Sequence, residues 1–103
     1  MVYLIHFSEP YPRGNRTPIQ HYLGFARDAQ TFPRRLEHHR RGTGARLMAA
    51  VARAGLTFEV ARTWDSGTRT DERKLKNRKN APRLCPLCQQ QLRQQQQPRK
   101  RAA

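Results

Sequence analysis

The sequence predicts an α+β domain, an α/β sandwich in which a small three-stranded antiparallel sheet is flanked by helices in the order β-β-α-α-β-α. Three observations predict it. "VYLIHF" and "HYLGF", close together near the start, are short runs of strand-forming residues. Leu56, Phe58 and Val60 alternate with Thr57 and Glu59, the pattern of a third, half-buried strand. Between them lie apolar residues at helical spacing, bounded by capping residues and glycines.

Val2 to Phe7 is expected to be the first strand, with Tyr3, Ile5 and Phe7 on one face. Ser8 to Thr17 carries Pro10, Pro12, Gly14 and Asn15 and is expected to be a polar loop. His21 to Phe25 is the second strand, and Gly24 within it implies close approach of another group to the backbone. Thr31 is expected to cap a first helix that accepts Pro33 in its first turn, reaches Arg41 and stops at Gly42. Thr43 is expected to cap a second, in which Leu47, Met48, Val51 and Ala54 share a face before Gly55 ends it. Leu56 to Trp64 is the third strand and Asp65-Ser66-Gly67 a turn. A third helix should run from Thr70 to about Lys79, with Pro82 ending it. Residues 1–84 would then form the domain and 85–88 a short clip. The low-complexity tail Gln89 to Ala103 is expected to be disordered, or weakly helical at its start.

The chain has 103 residues, enough for one small core, and only 36% are hydrophobic, so that core must be lean. Lys and Arg number 21 against seven acids, a formal net charge of +14. The basic tail contributes only a small part of it. A domain this basic repels itself unless a polyanion is near, and nucleic acid is the leading partner. No apolar run is long enough to span a bilayer, and the N-terminus lacks the basic-then-apolar layout of a signal peptide. A soluble, cytoplasmic protein with no membrane partner is expected.

Several residues recur in an order that carries chemistry. Met1-Val2-Tyr3 is followed by Tyr22-Leu23-Gly24, then by "RRLEHHRRG" with Arg35, Leu36 and His39 in register, then by "DERKLK" with Glu72. That order resembles the GIY-YIG nuclease family across roughly Met1 to Asn80. Met1 stands where the family usually has glycine; the strand therefore starts at the chain end, and its first residue is expected to be loosely held. The resemblance implies a single-domain, metal-dependent endonuclease that hydrolyses DNA phosphodiesters. Glu72 would bind one Mg²⁺ or Mn²⁺, Arg35 would hold the phosphate, and His39 would face the same site. Tyr3 would activate or orient water, and Tyr22 would position water or phosphate. The family often has an asparagine after the glutamate helix, and Asn77 and Asn80 both qualify.

The residue types suit this chemistry. Magnesium and manganese prefer oxygen ligands and often take only one or two protein carboxylates. Such an ion is a Lewis acid, and a guanidinium presents a planar fork to a phosphate as charge develops. A free phenol has a pKa of about 10, and nearby cations are expected to lower that of Tyr3. Gly24, Arg34, Arg40, Arg41, Arg46, Arg73, Lys74, Lys76, Arg78 and Lys79 are the expected nucleic-acid contacts, with RNA as well as DNA open. No sequence-reading module is visible, so targeting by DNA structure or by a partner protein is expected. Each residue also has an ordinary role: Tyr3 and Tyr22 as strand aromatics, Arg35 as a solvated cation, Glu72 as the i,i+4 partner of Lys76. A non-catalytic basic binding protein and an inactive nuclease-like subunit are therefore the alternatives.

Cys85-Pro86-Leu87-Cys88 has the spacing of half a zinc site. Four ligands are needed, and His6, His21, His38, His39 or a second copy of the chain could supply the remainder. His38 and His39 are adjacent on a helix and point apart, which argues against their acting jointly. The alternative for "PRLCPLC" is an apolar clip that packs the C-terminal segment onto the sheet.

Overall fold

The computed structural model describes residues 1–96. The elements are β1 (Val2–Arg13), β2 (Arg16–Phe25), α1 (Phe32–Arg41), α2 (Arg46–Arg53), β3 (Phe58–Trp64), α3 (Arg69–Arg78), α4 (Ala81–Leu84) and α5 (Pro86–Gln96). The expected α+β order is therefore present, with two further helices after it. The sheet is antiparallel and ordered β2-β1-β3, so β1 is the central strand.

Strand alternation divides the residues of β1 between two cores. Tyr3, Ile5 and Phe7 face α1 and α2, where Met48 and Val51 complete the front cluster. Val2 and Leu4 face the other way and pack with Leu23 and Cys85, and α3, α4 and α5 add Leu75, Leu84 and Leu87. Both faces of the sheet are covered, which explains why "VYLI" is apolar at successive positions rather than at alternate ones.

Several expectations need correction. Residues 8–17 are not a polar loop: β1 and β2 continue into a long hairpin in which Tyr11 pairs with Ile19 and Arg13 with Arg16. Pro10 and Pro12 fit because β3 ends its pairing with β1 at Phe7, leaving that part of β1 with one partner. Gly14, at φ 61°, is the first of two turn residues, where glycine relieves the steric cost. Thr43 does not cap α2, whose N-cap is Ala45; its hydroxyl instead lies 2.9 Å from His38 Nδ1. Pro82 does not end α3, which closes at Lys79 in the left-handed conformation, at φ 51°; it sits instead in the first turn of the short helix α4. The start of the tail is helical within α5, the expected alternative to disorder, and the expectation for residues 97–103 lies outside the described residues.

Other boundaries follow the local chemistry. Gly42 closes α1 in the left-handed conformation, at φ 74°. Thr68 and Asp71 form a capping box that starts α3 just before the expected position. Met1 is not loose: its carbonyl accepts from Ala26 N at 2.9 Å, and its amino group donates to Ala26 O at 2.7 Å.

A candidate tyrosine–arginine site and a cysteine–histidine cluster

The hydroxyl of Tyr3 lies at the centre of the front site. It is 2.8 Å from His39 Nε2, and Arg35 Nε donates to it over 3.3 Å. Arg35 and His39 are one helical turn apart on α1, so both reach the same strand residue. Phe32, at the start of that helix, packs its ring 5.0 Å from the Tyr3 ring. Tyr22 adds a second phenol, its ring 6.4 Å from that of Tyr3 and 5.3 Å from that of His39. Glu72 on α3 is close enough to act on the charge of both tyrosines and of Arg35. Lys76, one turn on, lies 3.8 Å from the Glu72 carboxylate and 5.7 Å from the centre of the Tyr22 ring. Thus Tyr3, Tyr22, Arg35, His39 and Glu72 converge from β1, β2, α1 and α3.

Gly24 has a reason in this arrangement. It pairs with Tyr3 across the two strands, and a Cβ there would overlap the Tyr3 ring and hydroxyl. The approaching group implied by the sequence is thus the phenol itself.

Burial sets the electrostatics. Desolvation raises the Tyr3 pKa above its ordinary value, and Arg35 opposes this without overcoming it. Tyr22 is raised for the same reason, helped by Tyr3. The expectation that neighbouring cations leave Tyr3 with a lowered pKa is therefore corrected for the protein without a metal, because burial outweighs the guanidinium. His39 is pushed down to about 4, by burial first and then by Arg35 and His38. It is a neutral imidazole at neutral pH, able to accept a hydrogen bond from the Tyr3 hydroxyl at Nε2. Its Nδ1 is buried without a partner. Hydrogen bonding to Tyr3 holds Arg35 protonated. Tyr3 is wholly covered, Tyr22 is partly exposed and Arg35 is exposed. An open cleft lined by Arg35, His38, His39, Thr43, Gly44 and Ala45 leads to this group.

The expected nucleic-acid contacts scatter more widely. Arg34, Arg46, Arg73, Lys74, Arg78 and Lys79 are exposed. Arg40 lies over the Phe58 ring at 5.4 Å, and Arg41 is paired with Glu37 at 3.0 Å. Arg69, absent from the expected set, lies over Phe25 at 5.0 Å. Asn77 is exposed on α3, while Asn80 stands at the N-cap position of α4 without a side-chain capping bond, its Oδ1 buried and lacking a partner.

A second constellation occupies the opposite face. His6 and His21 are cross-strand partners on β1 and β2, and both turn away from Tyr3 and Tyr22 by strand alternation. Cys85 and Cys88 meet them there, all four ligand atoms lying within 4.8 Å of one another, so the cluster could hold a metal ion. Of the four histidines open to the cysteine pair, the fold brings it His6 and His21. His38 and His39 lie on α1, across the sheet. Burial lowers the His21 pKa to about 4 and raises that of Cys88 to about 11. Cys85 is fully buried beside Val2, Leu4 and Leu23, so the apolar clip and the cysteine–histidine cluster are one structure. Among the described residues no helix is long and apolar enough to cross a membrane.

Comparison of the chain with protein-family models, curated proteins and solved structures finds no match.

Proposed function

We propose that the chain is a metal-dependent endonuclease of GIY-YIG type that hydrolyses DNA phosphodiester bonds. The observation that carries this reading is the Tyr3 hydroxyl held between Arg35 Nε and His39 Nε2, with Tyr22 and Glu72 beside it. Four separate elements contribute to that group, and a chance set of strand aromatics does not require such convergence.

Burial suggests a division of labour. Arg35 is exposed, so its remaining N–H groups can hold a phosphate oxygen while Nε stays on Tyr3. Tyr22 has the phenol nearer to solvent, so contact with water or phosphate passes to it from the buried Tyr3. Tyr3 acts as a positioning residue: it accepts from Arg35 Nε and donates a hydrogen bond to neutral His39, which fixes the guanidinium at the site. Glu72 offers the carboxylate that a single hard cation takes, and Lys76, paired with it at 3.8 Å, would give way to the ion. Mg²⁺ or Mn²⁺ bound there would supply Lewis-acid stabilisation of the departing oxygen. The cysteine–histidine cluster is poorly suited to either ion, and its sulfur and nitrogen ligands favour Zn²⁺. The exposed bases of α1, α2 and α3 would neutralise the DNA backbone.

Two observations favour a second reading, a non-catalytic nucleic-acid-binding protein. Tyr3 has no exposed surface, and Lys76 already neutralises part of Glu72. Plasmid nicking with and without Mg²⁺ or Mn²⁺, repeated on Glu72→Ala, separates the two. Metal-dependent nicking that disappears in the variant is expected. Tight DNA binding with no cutting under either metal would overturn the nuclease.

A further inference from the structure

The distances within the cysteine–histidine cluster are those of a tetrahedral coordination shell. Zn–N bonds of about 2.0–2.1 Å and Zn–S bonds of about 2.3 Å, meeting at the tetrahedral angle, place two nitrogens about 3.3 Å apart and a nitrogen and a sulfur about 3.6 Å apart. His6 Nδ1 and His21 Nε2 are 3.2 Å apart. Cys88 Sγ is 3.3 Å from His21 Nε2 and 3.7 Å from His6 Nδ1. Cys85 Sγ is 3.5 Å from the same His6 nitrogen. Four of the six edges thus match a tetrahedron, and the remaining two fall within the 4.8 Å limit common to the group.

The ligand chemistry narrows the choice of ion. Two thiolates and two imidazoles suit zinc and reject magnesium and calcium. The shell is closed by four protein ligands, with Cys85 fully covered and His6 and His21 nearly so. That is the arrangement of a structural ion, with no position left open for a substrate. Binding converts two thiols to thiolates and releases two protons, so the dication and its ligands are neutral together.

The placement explains what such an ion would do. Two ligands come from the centre of the β1–β2 pair, Cys85 from the junction of α4 and α5, and Cys88 from the first turn of α5. The back cluster they border has only Val2, Leu4, Leu23 and Cys85 fully or nearly buried. A core this small gives α4 and α5 little to hold them, and small domains commonly meet that need with a metal. We propose that His6, His21, Cys85 and Cys88 form a structural zinc site that fastens α4 and α5 to the back of the sheet carrying Tyr3 and Tyr22.

The full chain, purified under reducing conditions from zinc-containing medium, tests this by elemental analysis. One zinc per chain is expected, and a strong chelator should lower the melting temperature. Cobalt titrated into the stripped protein should give the visible bands of a tetrahedral ion together with thiolate charge transfer. Cys88→Ser, at the partly exposed ligand, should weaken that charge transfer and lose bound zinc. Should that variant fail to fold, the cobalt spectrum of the unaltered chain decides alone. A folded chain that takes up neither zinc nor cobalt overturns the proposal, as does octahedral cobalt without thiolate bands. Glu72→Ala should keep its zinc, so loss of nicking and loss of the structural ion are separable.

Discussion

Removing a single oxygen from Tyr3 probes the front site most directly. Tyr3→Phe leaves the ring in place between Phe32 and Gly24 but takes away the partner of two groups. Arg35 is exposed, so water replaces its lost bond at little cost. His39 is only 2% exposed, its Nδ1 already lacks a partner, and its Nε2 meets only the Tyr3 hydroxyl within the front site. The variant thus buries an imidazole with neither nitrogen satisfied, and leaving one such group costs about 1–3 kcal/mol. Replacing both partners by apolar groups avoids that penalty. His39→Leu should therefore cost less in the Tyr3→Phe background than in the unaltered chain, by about 1 kcal/mol or more. Urea denaturation followed by circular dichroism and by the fluorescence of Trp64, the single tryptophan, measures all four proteins. A Tyr3→Phe protein within about 0.5 kcal/mol of the parent, or strictly additive effects in the double variant, would refute the hydrogen-bonded pair.

Other expectations follow from the same geometry. Gly24→Ala pushes a methyl into the Tyr3 ring and should lose about 1–3 kcal/mol, read as a lower urea midpoint; an unchanged midpoint would mean that the ring does not lie over Gly24. His39 titrates near 4 in the folded chain against an ordinary 6.5. As pH falls below 6.5 the unfolded chain takes up this proton first, so His39 should erode stability between those two values and not above them. The slope approaches about 1.4 kcal/mol per pH unit inside that window, and His39→Leu should flatten it in pH-dependent denaturation curves. Arg35→Lys keeps the charge but loses the planar fork, so nicking should fall on the order of 10²-fold while DNA affinity at fixed salt changes little. Equal losses in binding and cutting would make Arg35 an ordinary phosphate contact.

Much of the architecture was legible because it rests on local patterns. Three β-rich runs, the αL glycine after Arg41 and the spacing of Met48 and Val51 are short-range signals, and the sheet and helices appear where those signals lie. Gly14-Asn15 forms the hairpin tip, but the stretch read as a polar loop because it also holds Pro10 and Pro12. Their tolerance depends on where β3 stops, and no local pattern reports that. Thr43 resembled a cap because capping chemistry is local, yet its hydroxyl found His38 instead.

The two constellations divide in the same way. Composition and spacing alone determined that the chain is basic, that Cys85 and Cys88 can share an ion, and that Tyr3, Tyr22, Arg35 and Glu72 occur in an ordered series. Alternation along β1 already placed His6 on the face away from Tyr3. Which face the last helices cover was decided only by tertiary packing, and that packing brings Cys85 to His6 and His21. It also decided that Tyr3 is buried, which reverses the expected direction of its pKa shift and moves solvent contact to Tyr22. The physical reason is range: periodicity and capping act within a few residues, whereas desolvation and ligand geometry depend on groups brought together from distant parts of the chain.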